Sequence, residues 1–134
     1  MRKLTVTAGV CIDASNRVLC VQRPNHGPLA FKWEFPGGKV EAGETLEASL
    51  IRELREELSL RASITAYITT VHSVDDTIDL TLHVYEADAN NDDLVLHEHL
   101  DYRWQPFDRL HELDLAKADR AALSAINDYI RQKS

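Results

Sequence analysis

No lysine- or arginine-rich cluster interrupts the 134 residues of this chain, whose formal net charge is −7. A surface of that sign repels a long DNA or RNA duplex, so a nucleic-acid polymer is not an expected partner. Cysteine is scarce as well, with Cys11 and Cys20 the only two. Both fall in strand-like stretches, where buried free thiols are common. A reduced structural pair is therefore expected in place of a disulfide or a metal site. No apolar run approaches the length needed to span a bilayer, so no membrane partner is expected. The opening stretch MRKLTVTAGVCID starts basic, but its apolar residues alternate with polar ones. That reads as a strand and not as a signal peptide, which makes the cytoplasm the default location. Repeats, Pro/Ser-rich linkers and low-complexity tracts are lacking too. Apolar residues at 44% and charged residues at 28% are ordinary globular composition. The length suits one domain over residues 1–134, with monomer and homodimer both left open.

What is present reads as a mixture of strands and helices. Leu4, Val6, Ala8, Val10 and Ile12 alternate along a half-buried strand. A turn at Asp13 and a second strand, RVLCVQR, are expected to complete a hairpin. A loop with two prolines and a glycine leads to a short strand around Trp33 and then a turn at Pro36, Gly37 and Gly38. Over residues 45–58 the period becomes helical, with Leu46, Leu50, Ile51, Leu54 and Leu58 on one face. A hairpin through Asp75 and Asp76, a loop at NNDD and a strand at YRWQPF follow. One closing helix is expected over residues 118–131, with an apolar stripe of Ala118, Ala121, Ala122, Ala125, Ile126 and Tyr129. The sum is an α+β chain, or an α/β/α sandwich, around a mixed sheet.

The helix over residues 45–58 carries its charge in an unfavourable place. Glu53, Glu56 and Glu57 lie at i, i+3 and i+4, within an arc of about 100°. The like charges at i, i+4 cost a few tenths of a kcal/mol. Two acids near the negative end of the macrodipole cost about 0.3–1 kcal/mol more. Arg52 and Arg55 offset part of this, and Arg52 can pair with Glu56 at i, i+4. A solvated acidic face is one reading. A helix built only for stability would carry lysines there, so a missing cation is the favoured one. Clustered hard oxygen ligands suit Mg²⁺ or Mn²⁺ and disfavour zinc. Such a cation would also let this acidic chain bind a small anionic substrate.

The longer stretch decides between them. Gly38 is followed after five residues by Glu44, and after seven more by Arg52-Glu53-Leu54-Arg55-Glu56-Glu57. This pattern resembles the Nudix box of the Nudix hydrolases. WEFPGGKVEAGE, HEH, YRW and LAKAD are similar to its MutT-like branch, including bacterial CTP pyrophosphohydrolases. One position departs: Ser59 stands where the box has a glycine. Serine in the left-handed conformation expected there is strained by roughly 1 kcal/mol.

The resemblance implies a Nudix-type α/β/α sandwich with a central mixed sheet, and hydrolysis of a nucleoside diphosphate linked to another group. It implies that Glu53, Glu56, Glu57, Glu98 and the Gly37 carbonyl bind Mg²⁺, with Mn²⁺ as a substitute. Glu44 and Arg52 would orient the helix acids, and the general base would be Glu53 or Glu98. Arg23 would touch phosphate, its alternative being an exposed strand end. Glu34 and Phe35 would line the nucleoside pocket, although Phe35 is nearly as well read as plain core. Asp119 would read the base or be only a stabilising charge at a helix start. His97 and His99 would share one side if their segment were a strand. Without a third zinc ligand, they read as solvated or hydrogen-bonded loop residues. His26 is left between substrate contact and loop. The expected reaction converts a (d)NTP and water to (d)NMP and pyrophosphate. CTP, dCTP or a modified cytosine nucleotide is the first choice of substrate and 8-oxo-dGTP the second. A nucleotide-binding module without hydrolysis is the rival class, which the intact acidic set disfavours.

Overall fold

A computed structural model describes residues 1–89 and 94–133; the loop expected at NNDD lies outside the described residues. Seven strands are described: β1 (Arg2–Val10), β2 (Arg17–Gln22), β3 (Trp33–Glu34), β4 (Gly37–Lys39), β5 (Ala62–Val74), β6 (Ile78–Ala89) and β7 (Asp101–Pro106). Helix α1 spans Leu46–Leu58, a 3₁₀ turn Phe107–Glu112, α2 Lys117–Ala121 and α3 Leu123–Lys133. One sheet has the order β4-β1-β6-β5 and the other β3-β2-β7. The first is mixed, because β1 runs parallel to β6 and antiparallel to β4.

Two cores flank the strands, as an α/β/α sandwich requires. Along β2, Val18 and Cys20 join the core under α3, which includes Leu82, Val84, Leu110, Ile126 and Ile130. The alternate residues Leu19 and Val21 join the core under α1, with Leu50, Leu54, Leu58 and Tyr85. This two-sided burial explains why the strand reads as a continuous apolar run. Cys11 and Cys20 are buried and free, and belong to different cores. Burial pushes each thiol up to about 12.

Three sequence expectations need correction. The first two strands meet at an Ile12–Val18 bridge and then part into different sheets. A hairpin and a strand that changes sheets show the same local alternation, so their partners decide between them. The expected turn at Gly37 and Gly38 continues into a strand, β4, with Thr7 opposite Gly38 and Ala8 opposite Gly37. The closing helix is broken at Ala122, whose N–H bonds to the Asp119 carbonyl at 3.1 Å, three residues back. That tighter turn rotates the apolar stripe onto Ala122, Leu123, Ile126 and Ile130 and leaves Ala121 exposed. Glu86 holds α3 to the sheet, accepting hydrogen bonds from Thr65 (2.9 Å), Tyr129 (2.7 Å) and Lys133 (2.6 Å).

Candidate active site

Helix α1 begins as its sequence dictates. Thr45 caps it, its Oγ1 accepting the Ala48 N–H at 3.1 Å. Leu50, Leu54 and Leu58 are buried against the sheets. This packing turns the face carrying Glu53 and Glu57 toward a cavity of about 1160 Å³. Gly38 explains how closely β4 approaches that face: a Cβ there would lie 2.5 Å from Cδ of Glu53. At Gly37 a Cβ would meet the Thr7 carbonyl oxygen at 2.0 Å, so β4 could not pair with β1 as it does. Both glycines are required by close approach.

Arg52 organises the acids. Its Nε and Nη2 donate to Glu44 at 2.6 and 2.9 Å, and Nη1 donates to Glu53 at 2.8 Å and to Glu56 at 3.2 Å. Nη2 also donates to the Lys39 carbonyl at 3.0 Å, which fastens α1 to β4. The hydrogen bonds from Arg52 hold the Glu44 carboxyl below its ordinary range. Glu57 lies at the other extreme. Burial, a hydrogen bond with Glu53 and the charges of Glu53, Glu34 and Glu98 push it up to about 9.

Gly37, Glu53, Glu57 and Glu98 line the cavity, as do Arg23, Glu34, Phe35 and Asp119. Glu56 is not on its wall; its side chain is 56% exposed and turned to Arg52. Among the described residues, no three acidic, histidine or cysteine side chains stand close enough together to hold a metal ion as placed. The donor set nevertheless fits a hard divalent cation. Glu53 and Glu57 offer only oxygen, the bare Gly38 admits the Glu53 carboxylate against β4, and the neighbouring acids that push Glu57 up are a repulsion that a cation would relieve.

The other part of the cavity is built differently. Asp119 is buried, and Oδ2 accepts the Phe35 N–H at 2.9 Å. It does lie in the first turn of α2, as the helix-start reading had it, but there it is buried and bonded to another element. Burial and the charge of Glu34 raise its carboxyl to about 7, against the pull of the Phe35 N–H. Phe35 is buried and also lines the cavity, so core and wall are one role. Arg23 makes a 3.4 Å bond to Glu34, and its buried Nε has no hydrogen-bond partner among the described residues. His26 lines the cavity from the proline loop.

The two histidines of HEH are hydrogen-bonded residues outside any strand, as the loop reading expected. Their segment is bent, not extended. His99 is buried, with Nε2 at 3.1 Å from Glu34 Oε2, whereas His97 is exposed, with Nε2 at 2.7 Å from Ser59 Oγ. The zinc alternative lapses because the two side chains have separate partners. Ser59 does adopt the left-handed conformation, at φ 57°.

A family model described as NUDIX domain matches residues 3–126. A CTP pyrophosphohydrolase of Escherichia coli (strain K12) is 33% identical over 125 residues, covering 93% of this chain and 92% of the relative. An 8-oxo-dGTP diphosphatase of Proteus vulgaris is 43% identical over 70 residues, covering 52% of this chain and 62% of the relative. The crystal structure of a MutT NUDIX hydrolase from Burkholderia pseudomallei superposes with a TM-score of 0.82 at 25% identity, covering 94% of this chain and 99% of that one.

The Gly38 contact generates a sharp test. Gly38→Ala forces the Glu53 carboxylate aside, because the added methyl group overlaps it and the β4 backbone is fixed by pairing. Hydrolytic activity is expected to fall by at least ~100-fold, the scale of a misplaced catalytic group. The circular-dichroism spectrum should remain that of the folded protein. Near-normal turnover would show that Glu53 need not occupy its present position.

Proposed function

The chain belongs to the Nudix family of hydrolases, and from that premise we propose that it is, as one domain over residues 1–134, a Mg²⁺-dependent nucleoside triphosphate pyrophosphohydrolase. It would convert (d)NTP and water to (d)NMP and pyrophosphate in the cytoplasm. The observation that carries the reading is one cavity lined both by the Arg52-braced carboxylates and by the buried Asp119. The first group suits polyphosphate chemistry, and the second suits recognition of a base edge.

Gly37 (through its carbonyl), Glu53, Glu56, Glu57 and Glu98 would hold the cation, with Mn²⁺ as a substitute. Glu56 would have to turn from Arg52 to join them. When bound, the cation supplies charge neutralisation to the phosphates and their transition state. The chain's own residues do the rest. Glu44 and Arg52 orient the helix acids, since Arg52 bonds Glu44 and reaches Glu53. Glu53 or Glu98 takes the proton of the attacking water. Arg23 has donor capacity for a phosphate, because one long bond to Glu34 leaves its Nε unused. Glu34 and Phe35 shape the nucleoside pocket, with Asp119 at the base.

The favoured substrate is CTP, dCTP or a modified cytosine nucleotide, because an ionised Asp119 accepts a hydrogen bond from the exocyclic amino group of cytosine. The similar E. coli protein bears the name CTP pyrophosphohydrolase. The raised carboxyl of Asp119 supports a second reading, 8-oxo-dGTP. A protonated Asp119 can donate to a carbonyl of that base. The similar Proteus protein bears the corresponding name.

The decisive assay is pyrophosphate release across a nucleotide panel, with Mg²⁺ and with excess chelator. Turnover should vanish with chelation and return with Mg²⁺ or Mn²⁺. Glu57→Gln should lose at least ~100-fold in kcat. Glu47→Gln, on the same helix, should be nearly silent, since glutamine keeps an acceptor for the Tyr85 hydroxyl that Glu47 now accepts at 3.3 Å. Equal losses would reduce the acidic helix to a bulk-charge effect. Full activity in chelator would overturn the assignment.

Base choice should follow pH. Asp119 is protonated below about 7 and ionised above it. In the wild type, the ratio of kcat/KM for dCTP to that for 8-oxo-dGTP should therefore rise from about pH 6 to about pH 8. Asp119→Asn cannot ionise, so its ratio should be flat and displaced by roughly 1–3 kcal/mol, the range for mispairing a buried polar group. A wild-type ratio flat across that range would place base recognition elsewhere.

A further inference from the structure

Glu98 has a position that its own side chain does not explain. It is exposed, and it sits in a bent segment between β6 and β7. The residues around it are fastened on both sides. On one side the segment is tied to the end of α1: Val95 N–H donates to the Leu58 carbonyl at 2.9 Å, and His97 N–H to the Glu57 carbonyl at 3.2 Å. The His97 ring lies 2.7 Å from the Ser59 hydroxyl. On the other side it is tied to β2 and β3: Leu100 N–H donates to the Gln22 carbonyl at 3.0 Å, and His99 Nε2 lies 3.1 Å from Glu34 Oε2. The His99 side chain is only 4% exposed. Carboxylates only accept, so Nε2 carries the proton of that bond when Glu34 is ionised.

We infer that His97 and His99 are positioning residues that clamp Glu98 toward the acids of α1, and that Ser59 supplies one jaw of the clamp. The inference rests on Glu98 belonging to the metal-binding set. A residue flanked by two anchored neighbours cannot drift, since adjacent Cα atoms stand only about 3.8 Å apart. The backbone bonds set the path of the segment. The two side-chain bonds set its height and tilt over the cavity. Glu34 is the fixed jaw for His99, because its other oxygen is held by Arg23 at 3.4 Å. Ser59 is the jaw for His97, because its backbone is locked at the end of α1, with its N–H on the Arg55 carbonyl at 3.0 Å. Glycine at that position would satisfy the left-handed backbone better and would offer no hydroxyl. The serine therefore exchanges an unstrained helix end for a hold on the loop.

The test separates positioning from stability. Ser59→Gly relieves the left-handed strain, so its thermal midpoint should equal or exceed that of the wild type. Its affinity for Mn²⁺, read from the free-ion electron paramagnetic resonance signal, should nevertheless fall. His99→Ala should weaken Mn²⁺ binding by ~10- to 100-fold, the scale for residues that orient metal ligands. His99→Gln keeps an N–H donor in place of Nε2 and should restore most of that loss. In a Glu98→Gln background, His99→Ala should cost little more, because the group it positions has already been altered. Unchanged Mn²⁺ affinity in both Ser59→Gly and His99→Ala would overturn the clamp. So would a full, undiminished loss from His99→Ala on top of Glu98→Gln. Mn²⁺ binding is read without nucleotide. A chain that binds Mn²⁺ in the expected order yet hydrolyses no nucleotide would keep the clamp and sink only the proposed reaction.

Discussion

Arg52 brings one positive charge among four carboxylates, those of Glu41, Glu44, Glu53 and Glu56. Its side chain is only 14% exposed, so the contacts are poorly screened. The guanidinium can serve several acceptors because its donors form a rigid fork, which a lysine ammonium could not reproduce. Two prongs hold Glu44, and Glu44 Oε1 also accepts the Glu41 N–H at 2.9 Å, closing the turn that leads into α1. Another bond reaches the Lys39 carbonyl at the end of β4. One side chain thus binds the glycine strand, the entry turn and the acidic face of the helix. Without it, the close approach of Gly38 to Glu53 would bring backbone to an unbalanced charge. The acidic face remains locally unfavourable even so, as sites kept for function often are.

The scaffold explains why the acids can be held so rigidly. Alternate residues of β2 are buried in different cores, and the parallel β1–β6 pair lies between α1 and α3. Helix α1 packs on β1 with Leu50 beside Gly9 in ordinary van der Waals contact. Turning its polar face away from the cavity would pull Leu50, Leu54 and Leu58 out of their core. The charge cost is therefore carried by packing on the opposite face, where Leu50, Leu54 and Leu58 are wholly buried.

Legibility from sequence followed the range of the interactions. Helix α1 could be read because its period and its acids are local features. The hairpin of β5 and β6 could be read because Asp75 organises its own turn, accepting N–H bonds from Thr77 and Ile78 at 2.8 Å each. The divergence of β1 and β2 could not, since it depends on partners far along the chain. Asp119 looked like either a base reader or a helix-start charge, and only the arrival of Phe35 from another element shows that it is buried. His97 and His99 could be read as hydrogen-bonded loop residues, but not their partners, since Ser59 and Glu34 come from other elements and the segment around Glu98 is bent. The break at Ala122 escaped because alanines fit a continuous helix as well as a tightened turn.

Glu34 links the two parts of the cavity through its field. Its charge helps to raise both Glu57 and Asp119 toward protonation. Arg23 and His99 hold its two oxygens, so its effect on either neighbour depends on those bonds. A phosphate that drew Arg23 away would leave Glu34 less compensated and add negative charge of its own. Both changes push Asp119 toward its neutral form and increase the need for a cation beside Glu57. By linkage, the protonation of Asp119 must in turn favour phosphate at Arg23. On the proposed reading, binding of a polyphosphate and of a base edge in this one acidic cavity would not be independent events. The carboxylate between them couples what one end binds to the charge the other end can hold.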